Sequence, residues 1–263
     1  MSDYKTITAN VGARGVAIVA LARPEKRNAM TGEMVEELAD AAHRLEQAKD
    51  VRCVVLTGQG RHFCAGGDLS YMRAQIDADR ELRLGLARRL ASLLSAFNDL
   101  NKPLIGRING GALGGGLGLV CVCDVAVAAE SAEFGFTETR LGLVPATIGP
   151  FVIARMGEAK ARRVFMSGRI FSASEAVELD LIARAVPDAE LDAAIEAEIA
   201  PYLMVAPGAV ASAKKLCRAF GARIDDAHIE SAIACLADAW ESEEARHGID
   251  AFLAKQSPRW AKT

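Results

Sequence analysis

The sequence lacks the signatures of several common chemistries. Its four histidines stand scattered at 43, 62, 228 and 247. Six cysteines (Cys53, Cys64, Cys121, Cys123, Cys217 and Cys235) form no C-x-x-C pair and no metal-ligand spacing with histidine, so no metal site is expected. Most of them lie in apolar segments and read as reduced, buried, small hydrophobes, which fits a reducing compartment. No G-x-x-x-x-G-K-[ST] run is present, which removes a P-loop, and no G-x-S-x-G elbow marks a serine hydrolase. The net charge is −3 and no long basic run occurs, so nucleic-acid binding has little electrostatic support. No uninterrupted apolar stretch reaches the roughly 18 residues a membrane span needs, and the first residues carry no apolar signal region. A cytoplasmic protein with no membrane partner is the expectation.

What is present suits an ordinary globular enzyme. The 263 residues are 51% hydrophobic and 25% charged, enough for one large α/β domain or a domain with a small appendage. Residues 16–21, 51–57, 103–108 and 125–128 read as strands. Thr31 is positioned to cap a helix with Met34, Val35, Leu38, Ala41, Ala42 and Leu45 at helical spacing. Residues 80–100 read as a long amphipathic helix carrying Leu82, Leu86, Leu90, Leu93, Leu94 and Phe97. This alternation points to an α/β fold with right-handed crossovers. After about Pro187 the pattern turns helical, with 195–203, 209–220 and 227–245 the clearest segments.

Two glycine-rich loops stand out. Cys64-Ala65-Gly66-Gly67-Asp68-Leu69 follows the strand at 51–57, and Asn109-Gly110-Gly111-Ala112-Leu113-Gly114-Gly115-Gly116-Leu117-Gly118 follows the strand at 103–108. Each feeds an apolar helical stretch, the second at 113–121. One backbone N–H from each loop converging on a single oxygen would stabilise an oxyanion. Glycine allows such close approach to the backbone. The glycines of 113–121 weaken a helix by roughly 1 kcal/mol each relative to alanine, so close packing or ligand contact must compensate.

Glu138 lies in Phe134-Gly135-Phe136-Thr137-Glu138-Thr139-Arg140-Leu141-Gly142. Its neighbours are apolar or glycine. If the loop packs inward, the carboxyl has a raised pKa and suits general acid–base work. If it packs outward, Glu138 is a solvated residue paired with Arg140. His43 and His228 read as surface residues, and His62 lies close to the first glycine loop.

Taken together, these segments resemble the crotonase superfamily, the enoyl-CoA hydratase/isomerase family. The resemblance rests on Arg23-Pro24-Glu25-Lys26-Arg27-Asn28-Ala29, the two glycine loops, Cys123-Asp124-Val125-Ala126, the Glu138 segment through Pro145, and Gly168-Arg169-Ile170. It covers essentially the whole chain. It implies a crotonase-type α/β spiral of ββα units over 1–187, with a helical C-terminal region, 188–263, for packing and oligomerisation. Homotrimers or homohexamers are the family's usual assemblies. The substrate is an acyl-CoA thioester, with CoA arriving as part of the substrate and no separate cofactor.

By position, Gly67 and Gly115 match the two oxyanion donors, the second at a helix N-terminus where the dipole favours negative charge. Lys26, Asn28 and Ala29 match the basic loop that grips CoA, and the carbonyl of Ala65 matches an adenine contact. Asp68, Leu69 and Pro145 fall within the same substrate-facing motifs. Phe252 and Lys255 correspond to C-terminal residues that often reach a site from a neighbouring subunit.

One departure bears on mechanism. Family hydratases use two glutamates, and the second matches Glu138. The first falls three residues after the oxyanion glycine, where this chain has Gly118. Three readings follow: Glu138 alone activates water and returns the proton; or it shuttles a proton in a Δ3,Δ2-enoyl-CoA isomerase; or the pocket serves another reaction. The segment 143–152 lacks the G-G-x-Q-R run common after this proline and is similar to bacterial hydratases of branched glutaconyl-CoA substrates. On that reading Gly118 leaves space for a bulky or carboxylated β-substituent; Arg140, Lys26 and Arg73 are candidates to meet a distal carboxylate, but they read more readily as surface or CoA-phosphate contacts. A non-enzymatic family member that binds CoA or RNA is the alternative of another class. Glu138 and the two loops argue against it, and so does the acidic charge balance.

Overall fold

Residues 53–58 read Cys-Val-Val-Leu-Thr-Gly, and a strand this apolar must be covered on both faces. In a computed structural model describing residues 4–222 and 224–262, all six are buried. The main sheet orders six strands as β1 (Ile7–Val11), β2 (Val16–Leu21), β3 (Cys53–Gly58), β4 (Leu104–Ile108), β6 (Val125–Ala129) and β9 (Arg184–Val186). β1 runs antiparallel to β2, with Ile7 opposite Leu21, and every other pair is parallel. A small second sheet joins β5 (Ala112–Leu113), β7 (Glu133–Gly135) and β8 (Ile170–Ser172).

The period of two along β3 divides its side chains between two cores. Val54 and Leu56 join the larger one, with Leu38, Leu45, Leu93 and Phe97. Cys53 and Val55 join a smaller one closed by Leu191, Ile195 and Ile199. The helices are α1 (Gly32–Gln47), α2 (Leu69–Ile76), α3 (Arg80–Asp99), α4 (Gly115–Cys121), α5 (Gly149–Met156), α6 (Glu158–Phe165), α7 (Ala173–Glu178), α8 (Leu191–Leu203), α9 (Pro207–Phe220), α10 (Asp226–Trp240) and α11 (Glu243–Leu253). Thus α8 returns from the C-terminal region to cover the second face of the sheet. Among the described residues no single helix is long and apolar enough to cross a membrane.

Helix α1 follows its sequence pattern closely. The Thr31 hydroxyl accepts the Met34 N–H at 3.2 Å, and the six residues at helical spacing are the six it buries. Three expectations about the helices need correction. The helix expected over 113–121 begins only at Gly115, because Gly114 adopts φ +49° and ends the short strand β5 before it. The helix expected over 227–245 is two, broken where Ser242 accepts the Ala245 N–H at 3.1 Å and starts α11. Of the leucines expected on the buried face of α3, Leu82 is exposed, while Leu86 and Leu90 line a cavity rather than the core.

Cys53, Cys64, Cys121 and Cys123 are buried, and burial pushes their thiols up, to about 11 for Cys53 and about 12 for the other three. Cys217 and Cys235 are exposed instead, on the outer sides of α9 and α10.

Candidate active site

The parallel strands β3 and β4 end side by side, and the two glycine loops leave from their carboxyl ends. In open α/β sheets that edge is where ligands bind. Asn109 ties the loop starts together: its Oδ1 accepts the Gly58 N–H at 3.1 Å, and its Nδ2 donates to the Gly60 carbonyl at 2.8 Å. Further along, the Leu113 N–H donates to the Cys64 carbonyl at 2.9 Å, and the Cys64 N–H to the Gly111 carbonyl at 3.1 Å. Gly66, at φ +89°, lies so close that a Cβ there would stand 3.0 Å from the Leu113 carbonyl oxygen. Only glycine suits that approach.

The lacing decides where two N–H groups point. The Met30 N–H donates to the Gly66 carbonyl at 2.7 Å, and the Asp68 N–H donates to the Met30 carbonyl at 2.9 Å. This is a parallel bridge centred on Met30 and Gly67. In such a bridge the intervening residue turns its own N–H away from the partner strand. Gly115 is the first residue of α4, where an N–H has no acceptor within the helix. Both glycines line the same cavity, of about 750 Å³.

Glu138 lines that cavity too, at the start of a short 3-10 turn, Glu138–Leu141. Its Oε2 is sealed from solvent and has no hydrogen-bond partner. Burial pushes the carboxyl up to about 7, against the smaller, opposite effect of its own backbone N–H. Arg140 is exposed and does not pair with it, so the outward-packing alternative fails. Oε1 faces the second glycine loop: a Cβ on Gly114 would stand 3.2 Å from it. A carboxyl that titrates near neutrality, beside two glycine loops, is suited to moving a proton next to a stabilised oxyanion.

The cavity wall sorts the remaining expected contacts. Lys26, Ala29, Ala65, Asp68, Leu69, Pro145 and Phe252 all lie on it. Phe252 reaches the cavity of its own chain, since α11 packs against the turn that carries Glu138. Three expected contacts do not lie there. Asn28 is fully buried; its Nδ2 donates to the carbonyls of Gln59 and His62 at 2.9 and 2.8 Å, and its Oδ1 accepts the Arg23 N–H at 2.9 Å. It braces the basic loop, with its own backbone at φ +54°. Lys255 is exposed beyond α11, off the wall.

Gly118 is the third. It is buried, and a Cβ on it would meet Ile148 Cγ2 at 2.7 Å and Leu94 Cδ1 at 3.0 Å. The space above this glycine is therefore filled by protein, and the expectation of room for a β-substituent there is corrected. Arg73, Arg140 and the ring of His62 are likewise absent from the wall.

Several further wall residues carry no sign of a ligand contact in the sequence. Arg23 Nη1 donates to the Ala29 carbonyl at 2.6 Å and pairs with Asp68 at 3.1 Å. Burial works to raise the Asp68 carboxyl, but hydrogen bonds from Ser70 and Arg23 outweigh it and hold it below its ordinary value. Met72 of α2, Leu86 and Leu90 of α3, and Leu236 and Trp240 of α10 supply apolar wall. Thr147 contributes a buried hydroxyl without a partner. Charged wall residues are confined to Arg23, Glu25, Lys26, Arg27, Asp68 and Glu138. Among the described residues no cluster of three His, Cys, Asp or Glu side chains is placed to hold a metal ion.

Known proteins share this chain's sequence pattern and fold. The family model described as enoyl-CoA hydratase/isomerase matches residues 12–263. The chain is 32% identical over 250 residues to the 1,2-epoxyphenylacetyl-CoA isomerase of Escherichia coli strain K12, spanning 94% of this chain and 95% of that one. An enoyl-CoA hydratase structure from Shewanella pealeana matches with a TM-score of 0.81 at 34% identity, over 98% of this chain and 97% of its own. One from Mycobacterium avium gives 0.88 at 32% identity, over 99% and 100%.

Proposed function

The chain belongs to the enoyl-CoA hydratase/isomerase family, and from that premise we propose that it adds water across the 2,3 double bond of an enoyl-CoA thioester, with Glu138 as its single acid–base carboxyl. The observation that carries the reading is the unpaired, buried Glu138 carboxyl, titrating near 7 on the same wall as Gly67 and Gly115.

The thioester oxygen accepts the N–H groups of Gly67 and Gly115. As water attacks C3, electrons move from the double bond to that oxygen, where two fixed donors stabilise the enolate. One such donor is worth about 2.7–4 kcal/mol in comparable sites. Ionised Glu138 takes the proton from the attacking water and returns it to C2 as the enolate collapses, so the carboxyl ends as it began. Lys26 and Arg27 at the mouth suit the phosphates of CoA, and Phe252 lies along the channel from the C-terminal region. Residues 1–187 thus supply the reacting groups, and 188–263 complete the wall. The exposed apolar side chains Met204, Leu216 and Phe220 support self-association into the trimers expected of the family.

For the acyl group we propose an apolar 2-enoyl chain. The wall formed by α3, α10 and residues 143–148 carries only uncharged side chains. Among the wall cations Arg23 is already paired with Asp68, and Lys26 and Arg27 belong to the mouth. A glutaconyl carboxylate would rely on neutral donors such as Tyr71 or Gln75.

One observation favours a second reading. Isomerisation between 3-enoyl and 2-enoyl thioesters needs one carboxyl to carry a proton between the α and γ carbons, and of the three wall carboxyls Asp68 is paired with Arg23 and Glu25 is exposed, which leaves Glu138. A turnover screen against crotonyl-CoA, 3-methylglutaconyl-CoA and a 3-enoyl-CoA, with Glu138→Gln as control, separates the readings. Glu138-dependent hydration supports the proposal. Double-bond migration without hydration supports the isomerase, and no turnover on any thioester supports a binding module.

A further inference from the structure

Among the described residues three buried side-chain polar atoms have no hydrogen-bond partner: Arg52 Nε, Glu138 Oε2 and Thr147 Oγ1. Arg52 is elsewhere, and its Nη2 already donates to the carbonyls of Tyr202 and Val205 at 3.1 and 2.5 Å. The other two belong to residues of one cavity wall.

Thr147 is unusual for its class. It is 6% exposed, one of five polar or charged residues that are buried among the described residues, with Thr6, Asn28, Thr57 and Asp68. Thr6 donates to Glu37, Thr57 to the Arg107 carbonyl, Asn28 to Gln59 and His62, and Asp68 accepts from Ser70 and Arg23. Thr147 alone has no partner. A buried hydroxyl left unpaired is costly, and in a functional cavity such a group marks a place where something else completes the bond.

The neighbouring residue says what the hydroxyl has to do. Ile148 places Cγ2 where a side chain on Gly118 would begin, so no carboxyl projects from that point of α4. The segment from Val144 to Ile148 takes over this wall, and Thr147 is the one residue in it with a polar side chain. Glu138 by itself can accept one hydrogen of a water molecule. A second contact is needed to aim the water's lone pair at C3.

We propose that Thr147 is a positioning residue that holds the attacking water, and afterwards the 3-hydroxyl formed from it, for Glu138. This rests on the hydratase reading above. A threonine hydroxyl both donates and accepts, so it serves the water and the product alcohol alike. In the step it assists, the water oxygen bonds to C3 and the 2,3 π-bond breaks toward the thioester oxygen. One water proton passes to Glu138 and from there to C2, so no further reactant is consumed.

The test compares two reactions of the same site. Hydration of crotonyl-CoA needs the held water. Exchange of the C2 proton of butyryl-CoA in D2O needs only Glu138 and the two glycine donors. Thr147→Val is expected to lower kcat for hydration about tenfold or more, the worth of one such hydrogen bond, with KM within about threefold. Exchange should change by less than about twofold, and Thr147→Ser should recover most of the hydration rate. Unchanged hydration in Thr147→Val would overturn the proposal, as would hydration and exchange falling together, or a serine variant as slow as the valine one. A wild-type enzyme that exchanges the C2 proton yet never hydrates would overturn the hydratase reading itself, and this proposal with it.

Discussion

Ile148 fills the space that a side chain on Gly118 would enter: its Cγ2 lies 2.7 Å from where that Cβ would stand. The pair is complementary, small on α4 and branched on the facing loop. Gly118→Glu is therefore expected to destabilise the protein whatever the substrate, by at least the ~1–3 kcal/mol typical of overpacking. Adding Ile148→Gly should recover much of the lost melting temperature by making room for the new side chain. Thermal unfolding of the single and double variants checks this. A single variant as stable as wild type would mean that the wall is softer than its geometry implies.

Glu138 makes stability depend on pH. Its folded pKa of about 7 lies above the ordinary 4.5, so the folded state holds the proton more tightly than the unfolded chain. Below about pH 4.5 both states are protonated and the residue is neutral in effect. Between about 4.5 and 7 the unfolded chain ionises first, and stability falls as pH rises. Above 7 the full cost remains, up to about 3 kcal/mol. Glu138→Gln is thus expected to melt higher than wild type at pH 8, with the advantage fading toward pH 4.5. A constant difference in Tm across that range would count against the buried, unpaired carboxyl.

Gly114 meets Glu138 from the opposite loop. Alanine there is strained twice: φ is +49°, and the new Cβ would press on Oε1 from 3.2 Å. Gly114→Ala should lower kcat more than it raises KM, because it displaces the proton-carrying group and leaves the CoA mouth intact. Steady-state kinetics on one enoyl-CoA substrate decides it, and a change confined to KM would argue against the assignment.

Asp68 joins the mouth to α2. It caps the helix through the Ser70 N–H at 3.0 Å and pairs with Arg23 at 3.1 Å. Asp68→Ala should cost about 1 kcal/mol through the cap, and it should loosen the Arg23 loop so that KM for CoA thioesters rises while kcat changes little. Calorimetry together with kinetics measures both effects.

The parts of this molecule legible from sequence are those governed by local pattern. Thr31 and the apolar spacing of α1 dictate that helix, and the two-sided burial of β3 follows from its composition. The glycine loops announce themselves because close backbone contact tolerates no other residue. Glu138 was ambiguous: its sequence neighbours allow either burial or a pair with Arg140, and only the packing of α11 against its turn decides.

What stayed hidden depends on residues distant in the chain. Nothing near Gly118 reveals that Ile148 fills its space, and nothing near Asn28 reveals the carbonyls of Gln59 and His62 that claim its amide. Leu86 and Leu90 obey the helical period yet face a cavity, since periodicity reports an apolar surrounding without saying whether protein or ligand supplies it. In the same way, Cys217 and Cys235 sit in amphipathic helices whose outer faces no periodicity argument distinguishes from a core.

The most direct test of the account is the pH dependence of kcat/KM for enoyl-CoA hydration in wild type and Glu138→Gln. The account predicts that the wild-type rate rises with pH through a single ionisation near 7, as the carboxyl becomes a base. It also predicts that the variant loses about 10²–10⁴-fold and the ionisation with it. A variant that hydrates at the wild-type rate, or retains the same pH profile, would contradict the assignment of Glu138 as the acid–base group.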